Sequence, residues 1–215
     1  MLVRNTAGWL GVLLLGYLTT RGLCLFQIPE DCKTPGNFWS LGILVVLGVI
    51  QGHITGVIND VRFQKFPWLT IYLFSIPVFS LLSQIPIFNR SIVSDSEISP
   101  DMQIGLCFII SAVGISILFH IWLTLRMFTF RDFCIFWTWR CAAAGCVIGG
   151  YVIARMGVGW RYRVHLHHYF VAWAISLLSA VEHRISDALL AVSCAIFVQG
   201  LAAYSADPIL IPGNF

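Results

Sequence analysis

The chain has 215 residues, of which 58% are hydrophobic and only 11% charged, and its mean hydropathy is +0.84. Soluble domains carry roughly 45–50% apolar and about 25% charged residues, so a soluble globule of this composition would lack the charges to cover its surface, while disorder needs the opposite balance. A net charge of +3 with neutral histidines is too small to argue for nucleic acid, and the class that remains is an integral membrane protein.

One helical span takes about 20 residues. The length therefore suits an all-α bundle of seven transmembrane helices, with six as the alternative, in a single domain 1–215 without room for a soluble one. Seven apolar runs mark the expected spans at roughly 5–27, 38–58, 67–88, 102–125, 133–154, 166–182 and 186–206. Turn residues separate them, among them Pro35-Gly36-Asn37, Asn59-Asp60, Asn89-Arg90 and Ser99-Pro100-Asp101.

The first run begins like a secretory signal, with Arg4 ahead of an apolar stretch from Gly8 to Leu18. Thr19-Thr20-Arg21-Gly22 then stands where a small-residue cleavage site would. The run is read as an uncleaved span, with Arg21 snorkelling towards the far interface, the side away from Met1. Cys24 and Cys32 flank the next loop, where a disulfide would fit an oxidising compartment. Cys107, Cys134, Cys141, Cys146 and Cys194 sit inside apolar runs as small hydrophobes, and the cysteines show no zinc-like spacing.

In the second run Gly48, Gly52 and Gly56 recur every four residues, and in the fifth Cys141, Gly145 and Gly149 do the same. Such stripes let another helix backbone approach closely. They serve either packing within one bundle or contact with a neighbouring subunit. Three ionisable residues fall at membrane depth: His53 in the second run, His120 in the fourth and Arg140 in the fifth. At about 1.5 Å per residue all three lie roughly 7–11 Å below the near interface. Paired histidines at one level could ligate haem axially, share a metal or relay protons. The expectation is instead two neutral, hydrogen-bonded imidazoles, because Arg140 disfavours protonating either ring.

Basic residues do not orient the chain. Seven spans put Arg4, Arg62, Lys65, Arg126, Arg131 and Arg184 on the near side and Arg21, Lys33, Arg90, Arg155, Arg161 and Arg163 on the far side, a tie under the positive-inside rule. Asn89-Arg90-Ser91 matches the glycosylation acceptor pattern.

The sixth run starts from Arg161-Tyr162-Arg163-Val164-His165-Leu166-His167-His168-Tyr169. Arg155, Trp160, Arg161 and Arg163 form a basic, aromatic belt suited to anionic lipid head groups. If the stretch is helical, His165 and His168 share a face. With Asp207 at the end of the seventh run they make a candidate metal set, an incomplete one that water or a partner chain would have to complete. The ligand count favours the other use of Asp207, a hydrogen bond from one of the two imidazoles that pins the helix ends together. On the near side Glu182, His183 and Arg184 mark a tight hairpin between the last two runs, with His183 and Asp187 spaced for a surface ion pair.

His165-Leu-His167-His168-Tyr169, followed by Phe197-Val-Gln199-Gly200-Leu-Ala202-Ala-Tyr204-Ser-Ala-Asp207, resembles the C-terminal region of a group of eukaryotic polytopic membrane proteins, the best known of which are fungal proteins with an extracellular LCCL domain. The resemblance covers about residues 160–210. It implies that His165, His167, His168 and Asp207 form one far-side unit, and it supplies no activity. The residues together point to a structural or accessory subunit of a larger membrane complex that binds lipid at its far face, and away from an enzyme. The alternatives are a haem- or transition-metal-binding redox protein using the histidines, and a small channel or transporter. Expected partners are lipids and other membrane subunits, in the mitochondrial inner membrane or a secretory membrane.

Overall fold

The computed structural model describes residues 1–29, 32, 38–85, 92–93, 100–156, 162–166, 168–205 and 210–212. In chain order they form α1 (Leu2–Cys24), α2 (Phe38–Ile54), the short α3 (Val57–Asp60), a 3-10 turn (Arg62–Gln64), α4 (Phe66–Leu82), β1 (Ile92–Val93), α5 (Pro100–Met127), α6 (Phe130–Met156), β2 (Tyr162–Leu166), α7 (His168–Ser176), α8 (Arg184–Tyr204) and β3 (Leu210–Pro212). Helix dominates, as the apolar runs require. Leu2–Cys24, Ile110–Met127, Phe130–Gly150 and Arg184–Tyr204 are long and apolar enough to cross a membrane. Trp39–Ile54 and Phe66–Leu82 are apolar but shorter.

The chain divides into two compact units, Met1–Arg90 with His168–Asp207, and Ser91–His167 with Pro208–Phe215. In the first, α8 is the central helix, packed against α7, α4 and α1. Its Leu190, Cys194, Phe197, Val198 and Leu201 are fully buried. The contacts fix every direction. Trp9 Nε1 donates to Gly48 O at 2.8 Å and Asn5 Nδ2 to Ile58 O at 3.0 Å, so α1 and α2 run antiparallel. Gly8 lies against Phe63 and Gly16 against Tyr72 and Ile76, so α1 and α4 run parallel. Arg21 Nη1 donates to Ala202 O at 2.8 Å, so α8 runs with α1.

Helix α2 is held from two sides. The indole of Trp9 on α1 takes the carbonyl of Gly48, and that of Trp173 on α7 takes the adjacent carbonyl of Leu47 at 3.1 Å. Gly48 and Gly52 let this happen. A Cβ on Gly48 would meet Leu13 Cδ1 at 2.6 Å, and one on Gly52 would meet Ile58 Cδ1 at 2.5 Å and Trp9 Nε1 at 2.8 Å. Gly56 is not part of that face. It stands at φ +73 and ends the helix in the left-handed conformation that a glycine adopts without strain.

The second unit is a long helical hairpin and a small antiparallel sheet. Thr129 starts α6: its Oγ1 accepts from Asp132 N at 3.3 Å and donates to Asp132 Oδ2 at 2.6 Å. Trp137 Nε1 donates to Thr124 Oγ1 at 3.2 Å and sets the register of α5 on α6. Strand β2 pairs with β1 through Val93↔His165 and Ile92↔Leu166, and with β3 through Arg163↔Ile211. The helical continuation expected across His165 and His168 is therefore not formed, because β2 ends at Leu166 and α7 begins at His168. Alternation of Tyr162, Val164 and Leu166 with Arg163 and His165 has the two-residue period of a strand.

Candidate functional site

Among the described residues of the first unit, the densest charge cluster grows from an unusual connection. After Gly56 the chain makes one turn of α3, then Val61 takes φ 50, left-handed for a β-branched residue. That conformation costs roughly 1–2 kcal/mol and swings Arg62 inward. Arg62 is only 1% exposed. Its Nη1 donates to Asp187 Oδ1 at 2.9 Å, its Nη2 donates to Thr55 O at 2.7 Å, and Nη2 also reaches Ala180 O at 3.5 Å. Nε lies 2.8 Å from Asp60 Oδ2, approaching too obliquely for a hydrogen bond, so that contact is ionic. A rigid guanidinium fork suits such divergent acceptors, where a lysine ammonium would not.

The carbonyls it satisfies explain why it is there. Helix α7 has only nine residues, about 14 Å of rise. Its end tightens into i→i+3 bonds from Leu177, Leu178 and Ser179, and the chain then runs without helix to His183 while Leu177, Ser179 and Val181 stay buried. Buried irregular backbone needs partners for its carbonyls, and Arg62 supplies one at Ala180. His183 caps α8, its Nδ1 accepting from Ile185 N at 3.2 Å. Asp187, spaced for His183, makes an ion pair with Arg62, 125 residues away.

One layer deeper, Gln51 Nε2 donates to Ser176 Oγ at 2.5 Å and Ser176 Oγ donates to Trp173 O at 2.5 Å. Gln51 and Ser176 are both fully buried. These bonds tie the end of α7 to α2, and Thr55 Oγ1 donates back to Gln51 O at 2.8 Å. A continuous polar seam thus runs from Asp187 and Asp60 through Arg62 and Thr55 to Gln51 and Ser176. Sequence reasoning missed it. Its one signal was the series Gln51, Thr55, Ser176 and Ser179 inside apolar runs, where polar residues are costly.

At the other end of this unit Tyr169, the last residue of HxHHY, meets Gly200 of the FxQG segment. A Cβ on Gly200 would lie 2.5 Å from Tyr169 Cβ, so the glycine lets α7 lie directly on α8. Phe197 and Gln199 are buried beside it. Arg21, in the last turn of α1, is part-buried and donates to Ala202 O near the end of α8.

The remaining expected residues separate by unit. Gly48 and Gly52 face α1 and the start of α3 within the chain. A Cβ on Gly145 or Gly149 would meet no atom of another described element within 4 Å. His53, in the last turn of α2, is exposed. His120, on α5 in the other unit, is fully buried, its Nδ1 2.8 Å from Ser116 O. Arg140 stacks its guanidinium 3.4 Å above the Phe136 ring and donates to Phe136 O at 2.8 Å. The register set by Thr124 and Trp137 brings Arg140 one turn beyond that pair, to the level of His120.

Arg155 lies in the last turn of α6, Arg163 and His165 on β2, and His168 at the start of α7. Trp160, Arg161, His167, Asp207 and the triplet's Asn89 lie outside the described residues. Among the described residues no group of three or more His, Cys, Asp or Glu side chains is arranged to hold a metal ion. Comparison with protein-family models, with characterised proteins and with solved structures finds no match to this chain.

Proposed function

We propose that the chain is a multi-pass membrane protein that works as a structural or accessory subunit. One unit folds on itself around α8, and the α5–α6 hairpin presents faces to neighbouring membrane helices. The contrast in burial carries this reading. The membrane-length window of α8 is 67% buried by its own chain, whereas those of α5 and α6 are 17% and 6% buried. On α6, Cys141 and Gly145 are exposed and Gly149 is open, and small residues are what closely approaching membrane helices use. In the seven-span form of the proposal, α2, α4 and α7 with its buried extension complete the four longer helices. The arginines at 155, 161 and 163 with Trp160 would meet anionic lipid head groups. The resemblance to the LCCL-type membrane proteins is part of the same proposal, as is the choice between a mitochondrial inner and a secretory membrane.

Native mass measurement of the detergent-extracted parent and Gly145→Leu tests it. The parent should carry partner mass that Gly145→Leu loses while melting like the parent. A parent that is monomeric, or a variant that retains all partner mass, would overturn the reading.

The interruption after Ser176 favours a second reading, a small transporter, because broken helices at membrane depth mark many transport sites. It ranks second because Arg62 already occupies part of the freed backbone. Solute flux into vesicles reconstituted with the protein separates the two.

A further inference from the structure

The first unit has two chemically different ends, and its helix directions define both without reference to the rest of the chain. One end collects the start of α1, the α2–α4 connection and the start of α8. The other collects the end of α1, the end of α4, the start of α7 and the end of α8. Cys24 and Cys32 lie at this second end and form a disulfide, with their Cα atoms 5.7 Å apart. The five cysteines that stay free, Cys107, Cys134, Cys141, Cys146 and Cys194, all lie on helices.

Disulfides form and persist in oxidising compartments and are rare where thiol reductants are kept high. The first end carries a second, independent mark. Arg4, Lys65 and Arg184 are all exposed there. At the disulfide end the basic residue among the described ones is Arg21, whose guanidinium is tied to the Ala202 carbonyl; Lys33 and Arg90 lie outside the described residues. Exposed basic residues close to span ends set orientation, and they stay on the side from which the chain is inserted. Counted over this unit's sequence alone, Arg4, Arg62, Lys65 and Arg184 at the first end stand against Arg21, Lys33 and Arg90, a margin of one where the whole-chain tally ties.

Resting on the membrane reading above, we infer that the Met1 end of this unit faces the reducing side of the membrane and that the Cys24–Cys32 end, with the Tyr169–Gly200 contact behind it, faces an oxidising compartment. Two measurements on the full chain in sealed vesicles test this. A protease-cleavable epitope fused ahead of Met1 should be removed by protease added from the reducing side and survive when protease is added from the other. Mass spectrometry after alkylation should find Cys24 and Cys32 unmodified before reduction and modified after it.

Epitope cleavage only from the opposite side, or alkylation of both cysteines without reductant, would overturn the orientation. Release of the protein by alkaline carbonate would instead overturn the membrane reading on which it rests, so the two failures are told apart. Fusion of the same epitope in a Cys24→Ser/Cys32→Ser variant separates sidedness from the bond. The variant should keep the parent's cleavage pattern, because the basic end sets the orientation and the disulfide only reports it.

Discussion

Replacing Gly200 by alanine should open the first unit between α7 and α8. The new Cβ would stand 2.5 Å from Tyr169 Cβ, while carbon atoms rest at about 3.5–4.0 Å. The helices must part there by at least about 1 Å. No rotamer change relieves the clash, because the opposing atom is bonded directly to the α7 backbone. Trp173 and Phe197, both fully buried, lose contact when the helices separate. Overpacking of this kind costs about 1–3 kcal/mol, which for a chain of this size corresponds to a fall in Tm of about 2–12 °C. Two other glycines calibrate it. At Gly48 the opposing atom is Leu13 Cδ1 at 2.6 Å, the movable end of a side chain, so Gly48→Ala should fall at the low end. At Gly145 nothing lies within 4 Å, so Gly145→Ala should hold or gain stability through helix propensity. Circular-dichroism melts of the three variants in one detergent give the order. A Gly200→Ala protein that melts with the parent, or a Gly145→Ala protein that melts as low as Gly200→Ala, would refute the argument.

Arg62→Met should lower stability by about 1–3 kcal/mol, since it strands the Thr55 and Ala180 carbonyls inside the unit; Arg62→Lys should rescue little in the same denaturation assay, as one ammonium cannot reach the four carbonyl and carboxylate partners. Gly52→Leu should cost stability rather than assembly, because the position faces Trp9 and Ile58 of its own chain; loss of partner mass with an unchanged melt would show the opposite. Thr129→Ala should cost about 0.5–2 kcal/mol by removing the α6 cap, and hydrogen exchange at the first turn of α6 should rise with it.

The helical content and the span-length helices α1, α5, α6 and α8 were legible because uniform apolar runs leave few alternatives. The glycine pair Gly48 and Gly52 was legible as a packing face for the same reason that small residues stand out among leucines. Gly56 was misread, since a fourfold spacing does not reveal that the helix has already ended. The strand at 162–166 had a visible two-residue alternation, but the neighbouring histidines drew the reading towards a helix face. The interruption after Ser176 had no glycine or proline to announce it. Arg62 looked like any basic residue of a short loop, because what makes it special is Asp187, which lies 125 residues away. The Tyr169–Gly200 contact was not legible: the resemblance linked His165, His167 and His168 with Asp207, and only the packing shows that Gly200 is small so that Tyr169 can sit on it.

The first unit is assembled from both ends of the chain, and this has a consequence for how it is made. Its N-terminal part leaves the ribosome with Arg62 already in place, whereas Asp187 follows 125 residues later. At about 5–20 residues per second the guanidinium waits roughly 6–25 s for its distal carboxylate, with Asp60 as its early companion. During that interval Trp9 can already take the Gly48 carbonyl, but the Leu47 carbonyl has no indole until Trp173 is synthesised. The α5–α6 hairpin is synthesised in between. Quality control in the cell therefore meets a long-lived, half-built bundle whose final helix is also its centre, and truncations that remove only α8 should be cleared as unfolded rather than persist as a smaller protein.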